Sequence, residues 1–184
     1  MFAKKSIVAA SVLLAVDITG ASAADWSDTY IGWRYGTQFG EPFNKNDIRK
    51  NIFNFGHVSA YKYGTNFLNV DMLLSDDKDS LNGSSGAHEA YVVYRHTLDF
   101  GKIAGKPEMF KWGPLRGVGF TAGFDYNNKS GDSYQSRKRM LVAGPTVMFD
   151  VPGFLNVSVL QLWESNAPRR SEERRVGKEC RSRW

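Results

Sequence analysis

The sequence predicts an all-β protein, an antiparallel up-and-down transmembrane β-barrel. Three observations lead there. Residues 26–163 alternate apolar and polar side chains in short runs, the period-two signature of strands. Helical periodicity is absent from the same span. The chain opens on an export signal, yet no segment reaches the roughly twenty apolar residues that a spanning helix needs.

The signal is "MFAKKSIVAASVLLAVDITGASA". Lys4 and Lys5 precede an apolar stretch from Ile7 to Val16, and Ala21-Ser22-Ala23 closes it. Charged, apolar, then A-x-A is the plan of a secretory leader, so residues 1–23 are expected to be a removed signal peptide. Residues 24–168 are the expected partial barrel.

Seven strands are expected, near 27–38, 50–61, 65–75, 88–100, 116–127, 138–150 and 154–165. The first sets Ile31, Trp33, Tyr35, Thr37 and Phe39 against Gly32, Arg34, Gly36, Gln38 and Gly40. "TNFLNVDMLLS", "HEAYVVYRHTLDF" and "GVGFTAGFDYN" divide the same way. "NIFNFGHVSAY", "KRMLVAGPTVMFD" and "FLNVSVLQLWES" are mixed on both faces.

The connections carry a second pattern. "GEPFNKNDIRK", "SDDKDSLNGSSGA" and "NNKSGDSYQS" are long and polar, while "YKYG" and "DVPG" are short. Membrane barrels have short periplasmic turns and longer external loops. "GKIAGKPEMFKWGPL" breaks the rule, being long where a short turn is due. Aromatics near strand ends (Trp26, Tyr30, Tyr61, Tyr63, Phe100, Tyr126, Phe149 and Trp163) suit interfacial girdles. Glycines on the polar parity suit a crowded interior. Both features favour a membrane barrel over a soluble one.

Charge excludes a nucleic-acid partner. The formal net charge is +5, but residues 24–169 hold 16 basic and 15 acidic side chains. The basic excess belongs to the two ends, and a nucleic-acid binder needs it in the folded body. The single cysteine, Cys180, lies in the terminal stretch, so the body has no disulfide framework and no thiol site.

The stretch "NFGHVSAYKYGTNFLNVDMLLSDDKDS", followed by "EAYVVYRHTLDF", resembles the nucleoside-specific channel-forming outer-membrane proteins, the Tsx family. "GPTVMFDVPGFLNVSV" and the "W.DTYIGWRYG" start extend the likeness over about residues 25–166. The resemblance implies a monomeric outer-membrane barrel of about twelve strands with a narrow polar channel for nucleosides. About seven of those strands are present before Pro168. The segment "RSEERRVGKECRSRW" has no strand pattern and reads like a translated sequencing adapter. Residues 169–184 are therefore expected to be a non-native tail on a truncated chain.

In the register above, Arg34, Asn69, Asp71, Glu89, Tyr91, Arg95 and Asp125 face inward. A nucleoside channel needs aromatic surface for the base and paired donors and acceptors for the sugar, each weak enough to release. Tyr91 suits the first role. Asn69, Asp71, Glu89 and Arg95 suit the second. Equally, Arg34, Asp71, Glu89 and Arg95 suit a purely structural charge lattice. A one-residue slip in register would turn any of them outward.

His57, His88 and His96 show no ligand spacing, so no metal and no cofactor is expected. His57 and Ser59 have the residue types of a lipid hydrolase without its signature, and no enzyme is expected. "GVGFTAG" resembles a phosphate loop but sits inside an alternating strand with no helix after it. The expected partners are outer-membrane lipid and small polar solutes. The alternatives are an outer-membrane surface receptor using the loops at 40–49, 76–87 and 128–136, and a soluble periplasmic lipocalin-like binder.

Overall fold

The computed structural model describes residues 10–15, 24–41, 44–79, 86–130, 136–152 and 155–166. The leader outside Ala10–Ala15 and all of the terminal tail fall outside the described residues. The strands are β1 (Ala10–Ala15), β2 (Trp26–Glu41), β3 (Asn44–Tyr61), β4 (Gly64–Ser75), β5 (His88–Asp99), β6 (Leu115–Ser130), β7 (Ser136–Phe149), β8 (Leu155–Ser158) and β9 (Gln161–Asn166). Each pairs antiparallel with the next in chain order up to β8, and β9 pairs with β7. The result is one curled, open sheet, a half-barrel with almost no helix. The all-β, up-and-down expectation holds.

Seven expected strands correspond to β2–β7 plus β8 and β9 together. β8 and β9 keep one register along β7, from Phe149↔Leu155 to Lys138↔Asn166. The gap between them falls opposite Pro145. The Val159 amide donates to the Pro145 carbonyl at 3.0 Å. Proline has no N–H to return the bond, so the ladder is interrupted for two residues.

Three differences from the sequence reading have clear causes. First, β1 was not expected as a strand. It lies along the free edge of β2, from Ala10↔Tyr35 to Ala15↔Tyr30. An apolar segment beside a row of unpaired backbone groups satisfies them. Second, the strands run on into two of the long polar links. β2 and β3 continue to Glu41 and Asn44, and β6 and β7 to Ser130 and Ser136. Polar side chains are compatible with a hairpin that projects beyond the rest of the sheet. Third, the alternation of β2 fails beyond Gly36. Register shifts flank Phe39. A Cβ on Gly36 would lie 2.6 Å from the Phe39 ring. The bulge therefore turns Phe39 onto the Gly36 side of the sheet, off the face predicted for it.

The irregular link after β5 forms a small unit of its own. Asp99 caps the one-turn helix α1 (Phe100–Ile103), accepting from the amides of Gly101 at 3.0 Å and Lys102 at 3.2 Å. Trp112 then bridges to Leu115 and is 83% exposed.

The two faces of the sheet differ in kind. A cavity of about 730 Å³ is lined by Trp26 and Asp28 of β2, Arg95 and Thr97 of β5, and Asn156 and Ser158 of β8. Side chains from the first and last long strands bound one space, so this is the concave, inner face. Trp26 belongs to it, and so does Tyr30, whose hydroxyl reaches Asn69. Neither joins the girdle predicted for them. The outer face carries Ile31, Trp33, Phe53, Phe55, Met72, Phe120, Phe124, Leu141, Val157 and Trp163, all exposed. Matched registers keep them on one side: Trp33↔Phe53↔Met72 and Phe124↔Leu141↔Trp163.

The Tyr30 ring lies over Gly56 so closely that a Cβ there would sit 2.0 Å from Cζ. Gly56→Ala is expected to displace the ring and destabilise the sheet by about 1–3 kcal/mol, the usual range for overpacking. Urea unfolding in detergent micelles measures it, and a change under 0.5 kcal/mol would refute the contact.

Candidate functional site on the concave face

All seven residues expected to face inward share the concave face. The ladder fixes this. Asp71 stands opposite Tyr91, Tyr91 opposite Asn127, and Arg95 opposite Gly123. No slip of register has turned one outward. They do not form a single cluster, however. They fall into three groups.

The first group joins β2, β3 and β4. Arg34 Nη2 donates to Asp71 Oδ1 at 2.7 Å. Asn54 Nδ2 donates to the same oxygen at 2.7 Å and to Asn69 Oδ1 at 2.9 Å. Asn69 Nδ2 donates to Asp71 Oδ2 at 3.3 Å. The second group is Arg95 with Asp125, at 2.5 Å. The same Arg95 nitrogen donates to the carbonyls of Tyr94 and Phe124. Asp125 is 7% exposed. A buried carboxylate needs such a partner, because an unpaired charge there is costly. In the third group Asn127 Nδ2 donates to Glu89 Oε1 at 2.5 Å.

Tyr91 differs from the rest. Its hydroxyl makes no side-chain hydrogen bond to a described residue, and it lies between the Asp71 and Asn127 positions of its neighbours. The arginines are committed to fixed pairs, as the lattice reading requires. Among the described residues, the Tyr91 hydroxyl and the second oxygen of Glu89 have no side-chain partner.

Sequence reasoning missed a cluster at the mouth of the concavity, at the end of the β2–β3 hairpin. Lys129 Nζ of β6 reaches Asp79 Oδ1 at 2.8 Å and Glu41 Oε2 at 3.1 Å. Lys50 of β3 pairs with the other oxygen of Glu41 and lies 3.8 Å from Asp79 Oδ2. Ser75 Oγ donates to Asp79. Lys50, Asp79 and Lys129 are all buried. Two cations and two anions balance. Burial alone would raise the Asp79 pKa. The hydrogen bonds from Lys129 and Ser75, with the charges of Lys129 and Lys50, outweigh it and hold the carboxyl below the ordinary carboxylate range. The lysines were detectable, since both share parity with inward residues. Glu41 and Asp79 sit in links, where alternation gives no signal.

A second missed feature is a hydroxyl ladder across β5 to β8. Thr97 and Thr121 lie 2.7 Å apart, Thr121 and Thr146 2.5 Å, and Thr146 and Ser158 2.8 Å. Thr121 and Thr146 each stand between two hydroxyls and can both give and accept, while Thr97 and Ser158 end the ladder with one bond each.

On the outer face, Asn66 Oδ1 accepts from the Tyr94 hydroxyl at 3.0 Å and from His96 Nδ1 at 2.7 Å. An amide oxygen only accepts, so His96 carries its proton on Nδ1, and Nε2 accepts from the Tyr61 hydroxyl at 3.0 Å. His57 Nδ1 bonds Thr29 at 2.7 Å, while Ser59 accepts from Asn66 at 3.4 Å. His57 and Ser59 therefore do not meet as base and nucleophile. Among the described residues, no group of three or more His, Cys, Asp or Glu side chains is placed to hold a metal ion.

No family model, curated protein or solved structure matches the chain.

The concave face offers a polar groove with fixed charge pairs, the aromatic rings of Trp26, Phe67 and Tyr91, and a buried charge cluster at one end. No helix among the described residues is long and apolar enough to cross a membrane, a test that does not address strands.

Proposed function

We propose that the chain is an outer-membrane barrel protein through which small polar solutes, nucleosides foremost, diffuse passively. The observation that carries this reading is the inversion of the two faces. Large apolar side chains cover the convex surface, and charged and amide groups line the concave one. A soluble barrel places them the other way round. Monomeric soluble proteins rarely expose contiguous apolar patches beyond a few hundred Å², whereas lipid covers such a belt without cost. The polar groups within the belt bond to one another, as Asn66, His96, Tyr61 and Tyr94 do, which lipid requires.

Removal of residues 1–23 as a leader belongs to the same reading. It takes β1 with it and leaves the edge of β2 free to pair. The resemblance to nucleoside channels supplies the solute, and Tyr91 is the residue best placed to meet a base.

Conductance in a planar bilayer tests the channel, and block of that conductance by added nucleoside tests the solute. Aromatic stacking on a base contributes about 1–3 kcal/mol. Tyr91→Ala should therefore weaken nucleoside block at least several-fold while leaving open conductance intact. Unchanged block would remove Tyr91 from the pathway, and a full-length barrel that inserts and conducts nothing would end the channel reading.

A further inference from the structure

We propose that the outward groove between β6, β7 and β9 binds a phosphorylated, acylated glycolipid of the external leaflet. The inference rests on the reading of the chain as an outer-membrane barrel and deepens it, by naming a lipid that this surface selects.

The groove has a volume of about 580 Å³ and an apolar floor built by Phe124, Leu141 and Trp163, with Tyr126 and Arg139 also lining it. Phe124, Leu141 and Trp163 stand in one row of the ladder, and Tyr126 and Arg139 in the next. Below Leu141 the outer face of β7 continues as Ala143, Pro145, Val147 and Phe149. At about 3.3 Å per residue this apolar track is roughly 26 Å long, enough for an acyl chain lying along the strand.

Charge changes at one end of the track. Arg137 and Arg139 are both exposed and share the outer parity of β7. Neither forms an ion pair with a described residue. The two acidic residues that also line the groove, Asp125 and Glu164, have the opposite parity and pair instead with Arg95 at 2.5 Å and Lys138 at 3.4 Å. Arg49, the comparable cation on β3, is paired with Asp76 at 3.4 Å. Among the described residues both guanidinium groups are without an ion-pair partner; Arg139 lines the groove and Arg137 stands two positions beyond it on the same face. Guanidinium forks match phosphate oxygens in pairs.

Their placement selects the lipid. They lie at the end of the sheet where the polar β2–β3 and β6–β7 hairpins project, the end that faces outward in barrels of this kind. Two residues apart on one strand, they are about 7 Å apart. That spacing fits a headgroup with more than one phosphate better than a single phosphodiester. Tyr126, in the row of Arg139, supplies a flat surface at the same level for a sugar ring.

The test reconstitutes the full chain in phosphatidylcholine vesicles doped with one of three lipids: a bis-phosphorylated acylated glycolipid, the same glycolipid dephosphorylated, or phosphatidylglycerol. Native mass spectrometry then counts lipid retained per chain. The phosphorylated glycolipid should be retained in preference to both others. Arg137→Gln with Arg139→Gln should cut its retention about tenfold, the loss of a charge-assisted contact. Both positions are exposed, so the fold should tolerate the change. Equal retention of phosphatidylglycerol, or of the dephosphorylated glycolipid, would reduce the site to a generic surface and overturn the proposal. A chain that inserts and retains nothing overturns this site alone. A chain that stays out of the vesicles overturns the barrel reading and this site with it.

Discussion

Asp79→Ala is expected to destabilise the protein by about 3–5 kcal/mol, the cost of breaking a buried ion pair from one side. Asp79 is 7% exposed, and its two oxygens take Lys129, Ser75 and the field of Lys50. Removing it leaves two buried lysines facing Glu41 alone. The effect reaches beyond one element, because the cluster ties β2, β3 and β6 to the segment after β4. Urea unfolding in micelles measures the loss, and a loss below 1 kcal/mol would show that water reaches the cluster. The pH dependence has a fixed sign. The Asp79 carboxyl is held below its ordinary range in the folded state. Its contribution is therefore complete above about pH 4 and is lost as pH falls further, through the depressed folded value. Asp79→Asn should lower stability near neutrality and flatten the profile in that acid window, where the two proteins converge.

Most of the architecture was legible because a strand writes its faces into the sequence at every second residue. Leu68, Met72 and Phe124 could be assigned to one side without coordinates, and Asn69, Tyr91 and Asp125 to the other. The alternation stopped being informative where geometry departed from period two. The bulge at Gly36–Phe39 is one such place, and the break opposite Pro145 is another. Links were the second blind spot. Polar composition reads as loop, but Gly40, Glu41, Asn44, Asn127–Ser130 and Ser136 are strand. The pairing among inward residues was not legible at all. That Arg34 takes Asp71 while Arg95 takes Asp125 depends on which strands lie side by side and how far each is staggered. The Glu41–Lys129 contact spans β2 to β6, a separation that curling of the sheet alone determines.

Met72→Arg separates a membrane barrel from a soluble one more sharply than any change on the concave face. Met72 is 55% exposed on the outer surface of β4, within the apolar run from Leu68 to Leu74. If water surrounds that surface, an arginine there is an ordinary exposed substitution, worth about 0.5 kcal/mol either way. It should even improve solubility by dividing the patch formed with Phe53 and Trp33. If lipid surrounds it, the guanidinium enters hydrocarbon. The cost rises to about 2–4 kcal/mol at the bilayer midplane and falls toward zero near the interfaces. The same substitution at Tyr63, beside the short β3–β4 turn, supplies the interfacial comparison. Unfolding in phospholipid vesicles should therefore show Met72→Arg far more damaging than Tyr63→Arg, with the difference removed in aqueous buffer without lipid. Equal, small effects at both positions would return the apolar convex face to the soluble-binder reading. The inverted faces would then need a covering other than a bilayer.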